Sequence, residues 1–180
     1  MTGLIVRICF TLAWIIAAVY PQSKGEKLAD ISLPPVSTFH EYCARCHGEE
    51  GSAYGKGFGN LTDDSLRAVI EDMMFGPAGL NPTGIEIKAM TTYHKFLRDN
   101  KPFATVLNSN SFSDRKEKSL MMDVSPGADL ETNDKEIKIQ KKRSTWVLTF
   151  DPAKTKKVRI TITRNGSSST LDFPEMIWSK

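Results

Sequence analysis

The chain has 180 residues, 40% of them hydrophobic and 25% charged, which is enough apolar material for one ordinary domain or two small ones with packed cores. Lys and Arg number 24 against 21 Asp and Glu, giving a formal net charge of +3. That near-balance argues against a nucleic-acid binder, which needs a concentrated basic face, and leaves room only for local basic stretches at 138–143 and 154–159.

In chain order, Arg7 precedes an uninterrupted apolar run from Ile8 to Val19. The run has the length of a signal core and falls short of the roughly 20 apolar residues of a membrane-spanning helix. Residues 1–23 are expected to be an export signal that places the chain in the periplasm. Pro21 sits awkwardly after the small residues Ala17 and Ala18, so an uncleaved amino-terminal anchor stays open. Cys9 lies inside the run. Residues 24–36 are polar and proline-dotted and read as a linker.

Ser37 or Thr38 reads as an N-cap, Glu41 three residues after Thr38 suits a capping box, and a short helix is expected through Cys43. Residues 48–60 carry five glycines and read as a loop. Thr62-Asp63-Asp64 opens the next helix, where Leu66, Val69, Ile70, Met73 and Met74 recur at helical spacing up to Gly76-Pro77. A third helix is expected from about Ile85 to Arg98, stopped by Asp99-Asn100-Lys101-Pro102. Beyond Pro102 come about six short β-rich segments with turn signals between them, and Asn165-Gly166 closes an expected hairpin. Asp123, Asp129, Glu131, Asp134 and Glu136 match no calcium loop and read as solvated turns. Trp146, Phe150, Phe173 and Trp178 read as core or interface aromatics. Lys138, Lys141, Lys142 and Arg143 form a basic stretch, either a solvated turn or a docking patch for an acidic partner.

The chemistry concentrates in Cys43-Ala44-Arg45-Cys46-His47. Two thiols separated by two residues can form thioethers to the two vinyl groups of a haem, and the adjacent histidine can then ligate the iron. Three other uses of these residues have requirements of their own. A zinc site would need four ligands, drawing on His40 or His94. A redox pair of the thioredoxin kind needs a βαβ unit. A plain disulfide needs only an oxidising compartment.

The segment Tyr42–Gly51, with Leu61–Leu66 and Glu86–Tyr93, resembles class I monohaem cytochrome c domains. The resemblance covers about residues 37–101. It implies an all-α haem domain there, one covalent haem c attached at Cys43 and Cys46, and His47 as proximal iron ligand. The fold expected for the whole is therefore α+β with two domains: the all-α cytochrome c-like domain, then an antiparallel β-sandwich of immunoglobulin or fibronectin type over 102–180.

The distal ligand implied by the resemblance is a methionine between the second and third helices. Met74 stands nearest, with Met73, Met90 and His94 as alternatives. No methionine-proline pair occupies the family's usual place. Tyr42, Tyr54, Phe58, Tyr93 and Phe96 are candidate packing aromatics, and Lys56 and Arg67 candidate partners of the haem propionates. The implied function is electron transfer, without substrate chemistry. The β part would dock the chain to redox partner proteins, such as a membrane-associated or multi-subunit complex. The alternative is a haem-dependent enzyme subunit or a gas or redox sensor with an open or displaceable sixth iron position.

Overall fold

Pro34 and Pro35 set where regular structure begins in the computed structural model, which describes residues 31–110, 117–142, 145–155 and 157–174. The expected export signal, Arg143 and Trp178 lie outside the described residues. Pro35 takes the first helical position, where a missing N–H costs nothing. The helical segment runs as α1 (Pro35–Thr38), a widened π turn (Phe39–Cys43) and α2 (Ala44–His47). It starts earlier than Thr38, and the Thr38 side chain caps nothing. The free N–H groups at its start are met from elsewhere: the Asp123 carboxylate accepts from Val36 N–H at 2.7 Å and from the Ser37 hydroxyl at 3.2 Å. The segment stops at Gly48, whose φ of +75° suits glycine and ends the helix.

α3 (Asp63–Phe75) is capped by Thr62, whose hydroxyl accepts from Ser65 N–H at 3.2 Å. Its buried stripe is Leu66, Ile70 and Met74, one residue per turn. α4 (Gly84–Arg98) opens with a complete capping box between Thr83 and Glu86, and buries Ile87, Met90, Tyr93 and His94. Phe39, wholly buried, lies between the rings of Tyr93 and His94 at centroid distances of 5.6 and 5.5 Å.

Seven strands follow: β1 (Ala104–Asn110), β2 (Lys118–Val124), β3 (Asp129–Glu131), β4 (Lys138–Lys142), β5 (Thr145–Phe150), β6 (Lys157–Arg164) and β7 (Ser167–Pro174). They form two antiparallel sheets, in the orders β1-β2-β5-β4 and β3-β6-β7. The chain passes from one sheet to the other after β2, β3 and β5. Alternate residues from both sheets, among them Leu120, Met122, Leu148, Val158, Ile160 and Ile162, share one core. Asn165 and Gly166, at φ +49° and +80°, form the two-residue turn between β6 and β7.

The expected all-α domain preceding a separate sandwich is not what forms. Only α3 and α4 exceed a single turn of α-helix, and the helical part does not stand by itself as a domain. It is joined to the sheets by polar contacts that neither part could satisfy alone. Asp123 of β2 caps α1, Ile31 N–H donates to Leu107 of β1 at 3.1 Å, and Ser169 of β7 donates to the Pro102 carbonyl at 2.5 Å. Phe103, just before β1, is buried in the helical core against Tyr93 and Phe96, with ring centroids 5.3 Å from each. The helices and the sheets each bury a cluster of their own, and these meet in the chain at Phe103 and Ala104. No helix among the described residues is long and apolar enough to cross a membrane.

Glu86 makes a tether within the helical part, between the start of α4 and the stretch before α1. Its Oε1 accepts from Ser32 N–H, the Ser32 hydroxyl and Leu33 N–H at 2.9, 2.6 and 2.8 Å, and its Oε2 from Thr83 N–H and hydroxyl at 2.8 and 2.9 Å. Burial pushes its carboxyl up, but these bonds more than reverse that and hold it at about 2, below its ordinary 4.5. The native state therefore gains stability from Glu86 above pH 4.5 and loses it as pH falls toward 2, on the order of 3 kcal/mol in all. Glu86→Gln should unfold at lower urea than the native chain at neutral pH, with the gap closing between pH 4.5 and pH 2. A gap that stays constant with pH would contradict this account.

Candidate functional site

The motif lies on the helical segment, with Cys43 closing the π turn and Cys46 and His47 in α2. The turn is one residue wider than an α-turn, with Ala44 N–H donating to the Phe39 carbonyl. Phe39, Cys43 and His47 then follow one another down the segment. Phe39 enters the core, while Cys43 and His47 line a cavity of about 230 Å³. Cys46 is exposed, Cys43 is half-buried, and the two thiols are unpaired. Burial raises the Cys43 thiol above its ordinary value, helped by the charge of Cys46.

Much of the rest of the lining comes from α3 and α4. Leu66, Ile70 and Met74 contribute the buried stripe of α3, and Val69 and Met73 its flank. Met90 and His94 lie one turn apart on α4 and belong to the same lining. All four residues considered for the distal position (Met74, Met73, Met90 and His94) thus border the same cavity as Cys43 and His47. Met74 and Met90 are 2% and 1% exposed.

The remaining expectations divide. Tyr54 and Phe58 line the cavity, stacked at 4.2 Å, and Tyr54 lies against His47 at 4.8 Å. Tyr42 is exposed, Tyr93 is buried behind Phe39, and Phe96 lines a different groove beside β1. Lys56 and Arg67 are exposed and form no part of the cavity wall. Asp123, read as a solvated turn, is 4% exposed and caps the motif's helical segment.

The spacing of residues gave no hint of the Tyr54–His94 pair. His94 Nδ1 lies 2.8 Å from the Met90 carbonyl, which can only accept, so Nδ1 carries the proton. Nε2 then accepts from the Tyr54 hydroxyl at 2.6 Å. Burial drives the His94 imidazole down to about 4 and the Tyr54 phenol above its ordinary range. Both are neutral in the pair.

The wall offers thiol, thioether and imidazole groups in apolar surroundings and no carboxylate. Such soft ligands suit iron in a haem and do not suit calcium or magnesium. The apolar lining suits a flat hydrophobic ring, and a group tethered through two thiols need not be wholly enclosed. Among the described residues no three His, Cys, Asp or Glu side chains gather as a metal cage, which counts against the four-ligand zinc arrangement. No strand precedes the cysteine pair within the described residues, as a thioredoxin-like pair would need. Comparisons with models of protein families, with curated proteins and with solved structures find no match.

The His94 assignment has a direct check in the cofactor-free chain. Its imidazole should titrate near pH 4 by NMR, and the folded state should lose stability as pH falls below 6.5, down to that point. Tyr54→Phe leaves Nε2 unpaired in the cavity and should cost about 1–3 kcal/mol of stability. An unchanged stability and an imidazole titrating near 6.5 would refute the pair.

Proposed function

We propose that this chain carries one covalent haem c and serves as an electron carrier. Cys43 and Cys46 supply the thioethers, His47 the proximal ligand, and Met74 the distal one. The single observation that carries the reading is that Cys43 and His47 line one apolar cavity together with Met73, Met74 and Met90. The reading rests on this motif and cavity and does not require an all-α domain.

The haem, once bound, supplies an iron that changes charge by one electron. The chain's residues do the rest. Cys43 and Cys46 would hold the ring through two thioethers, so the cavity need not enclose it. The helical segment, fixed at its start by Asp123, sets the direction of His47. Leu66, Ile70, Met90 and Phe58 line the cavity and would keep water from a bound ring. A thioether opposite an imidazole favours the reduced iron relative to two imidazoles. Cofactor attachment of this kind requires export, in keeping with the apolar run Ile8–Val19, and places the chain in the periplasm. Redox partner proteins complete the reading, with the β part as the surface that docks them.

Expressed with its amino-terminal segment alongside a haem-attachment system, the purified chain should show a Soret band that survives denaturation and a mass increase of one haem. Cys43→Ala and Cys46→Ala should each leave a single thioether, and the double variant none. A chain without haem under these conditions overturns the reading. Met74→Ala should abolish the weak far-red band of methionine-ligated ferric iron. A band that persists moves the ligand to Met73 or Met90. Rapid carbon monoxide binding by the native chain, with no far-red band, would point instead to a sensor or enzyme with an open sixth position.

A further inference from the structure

Glu50 lies in the loop that leaves His47, and its backbone is left-handed at φ +55°. Gly48 and Gly51 beside it hold φ of +75° and +74°, natural for glycine but unfavourable for glutamate. A residue persists in such a conformation only where its surroundings hold it. The Glu50 carboxylate is met by the guanidinium of Arg164, at the end of β6, whose side chain is only 8% exposed. A guanidinium that deeply buried would be costly without its partner.

The loop passes its conformation on. Ala53 N–H donates to the His47 carbonyl at 2.8 Å, Ser52 N–H to Glu49 at 3.1 Å, and Tyr54 N–H to Gly51 at 2.9 Å. His47 and Tyr54, at the two ends of this run, both line the cavity. On β7, Ser169 fastens the same hairpin to the Pro102 carbonyl at 2.5 Å. The β6–β7 hairpin therefore grips the helical part at two points, one of them the motif loop.

We propose that Arg164 is a positioning residue for the site. Carried by the second sheet, it neutralises Glu50 and fixes the loop on which His47 and Tyr54 are seated. The β part then shapes the site itself and is more than a docking surface. Arginine suits the task because it stays charged when buried and its planar fork matches a carboxylate. Only the second of the two tests below rests on the haem reading.

The first test is amide hydrogen exchange at Ser52, Ala53 and Tyr54 in the full-length chain. Arg164→Ala and Glu50→Gln should each speed it by about 10-fold or more, and the double variant should exchange no faster than the faster single. Native exchange rates in both singles, or a double variant equal to the product of the two effects, overturns the proposal. Should Arg164→Ala fail to fold, Glu50→Gln decides alone: native loop exchange in that variant is the overturning result. This measurement needs no haem, so it stands if haem attachment fails.

The second test is the reduction potential of the haem-loaded chain. Arg164→Ala leaves a negative charge beside the loop and should lower the potential, whereas Glu50→Gln leaves a positive charge and should raise it. A purely structural loosening moves both in one direction. Shifts of the same sign, or none, overturn the charge-compensating role.

Discussion

The carboxylate of Asp123 sits where two requirements meet. The helical segment that carries the motif begins at Pro35 with N–H groups that its own residues cannot satisfy. β2 carries one carboxylate on the side facing that segment, and it answers Val36 and Ser37 together. Burial pushes the Asp123 carboxyl up, and its hydrogen bonds only partly offset this. Glu86 shows the opposite balance: with five hydrogen bonds its carboxyl ends well below the usual range. Both carboxylates are nearly inaccessible, so the number of donors facing each decides the direction. Glu86 fixes the stretch before α1, and Asp123 fixes α1 itself. Cys43 and His47 inherit their place from the pair.

Local signals in the sequence were legible where the chain's own neighbours decide the outcome. Thr62 begins its helix because its own hydroxyl reaches a free N–H within a turn. Asn165-Gly166 forms its hairpin because both positions tolerate positive φ. The motif helix was misplaced for the converse reason. Thr38 and Glu41 have the spacing of a capping box, but the cap comes from Asp123, far along the chain. Asp123 itself read as a solvated turn because nothing near it in sequence shows that it is buried. β3 escaped notice because three residues are too few to show an alternating pattern.

The expectation of an all-α domain ahead of the sheets failed on similar grounds. The change from helical to alternating periodicity at Pro102 coincides with the passage from one buried cluster to the other, between Phe103 and Ala104, but it does not show the hydrogen bonds that cross it. Phe103 follows that proline and is buried with the helices, while Ser125, after β2, exchanges hydrogen bonds with its backbone at 2.9 and 3.0 Å. The seam is closed by residues whose partners lie in the other half of the chain. Periodicity reports which face of an element is apolar and is silent on which neighbour covers it.

The same limit explains why the sequence could put Met74 first among the distal candidates only by its position in the chain. Met73, Met74, Met90 and His94 all occupy apolar helix positions, where core packing and iron ligation call for the same pattern. Hydrogen bonding separates them. Both ring nitrogens of His94 are engaged, one by the Met90 carbonyl and one by Tyr54, so ligation by Nε2 would strand a buried phenol. A thioether has no such competing partner to give up. Met90 shares its helix turn with His94, and its own carbonyl anchors that ring, which ties it to the present packing. Met73 and Met74 sit in the last turn of α3, where Phe75 is exposed and Gly76 ends the helix. A small adjustment there disturbs fewer buried contacts than one in the middle of α4. Of the two, Met74 lies on the buried stripe with Leu66 and Ile70, and its side chain is the more completely enclosed by the cavity wall.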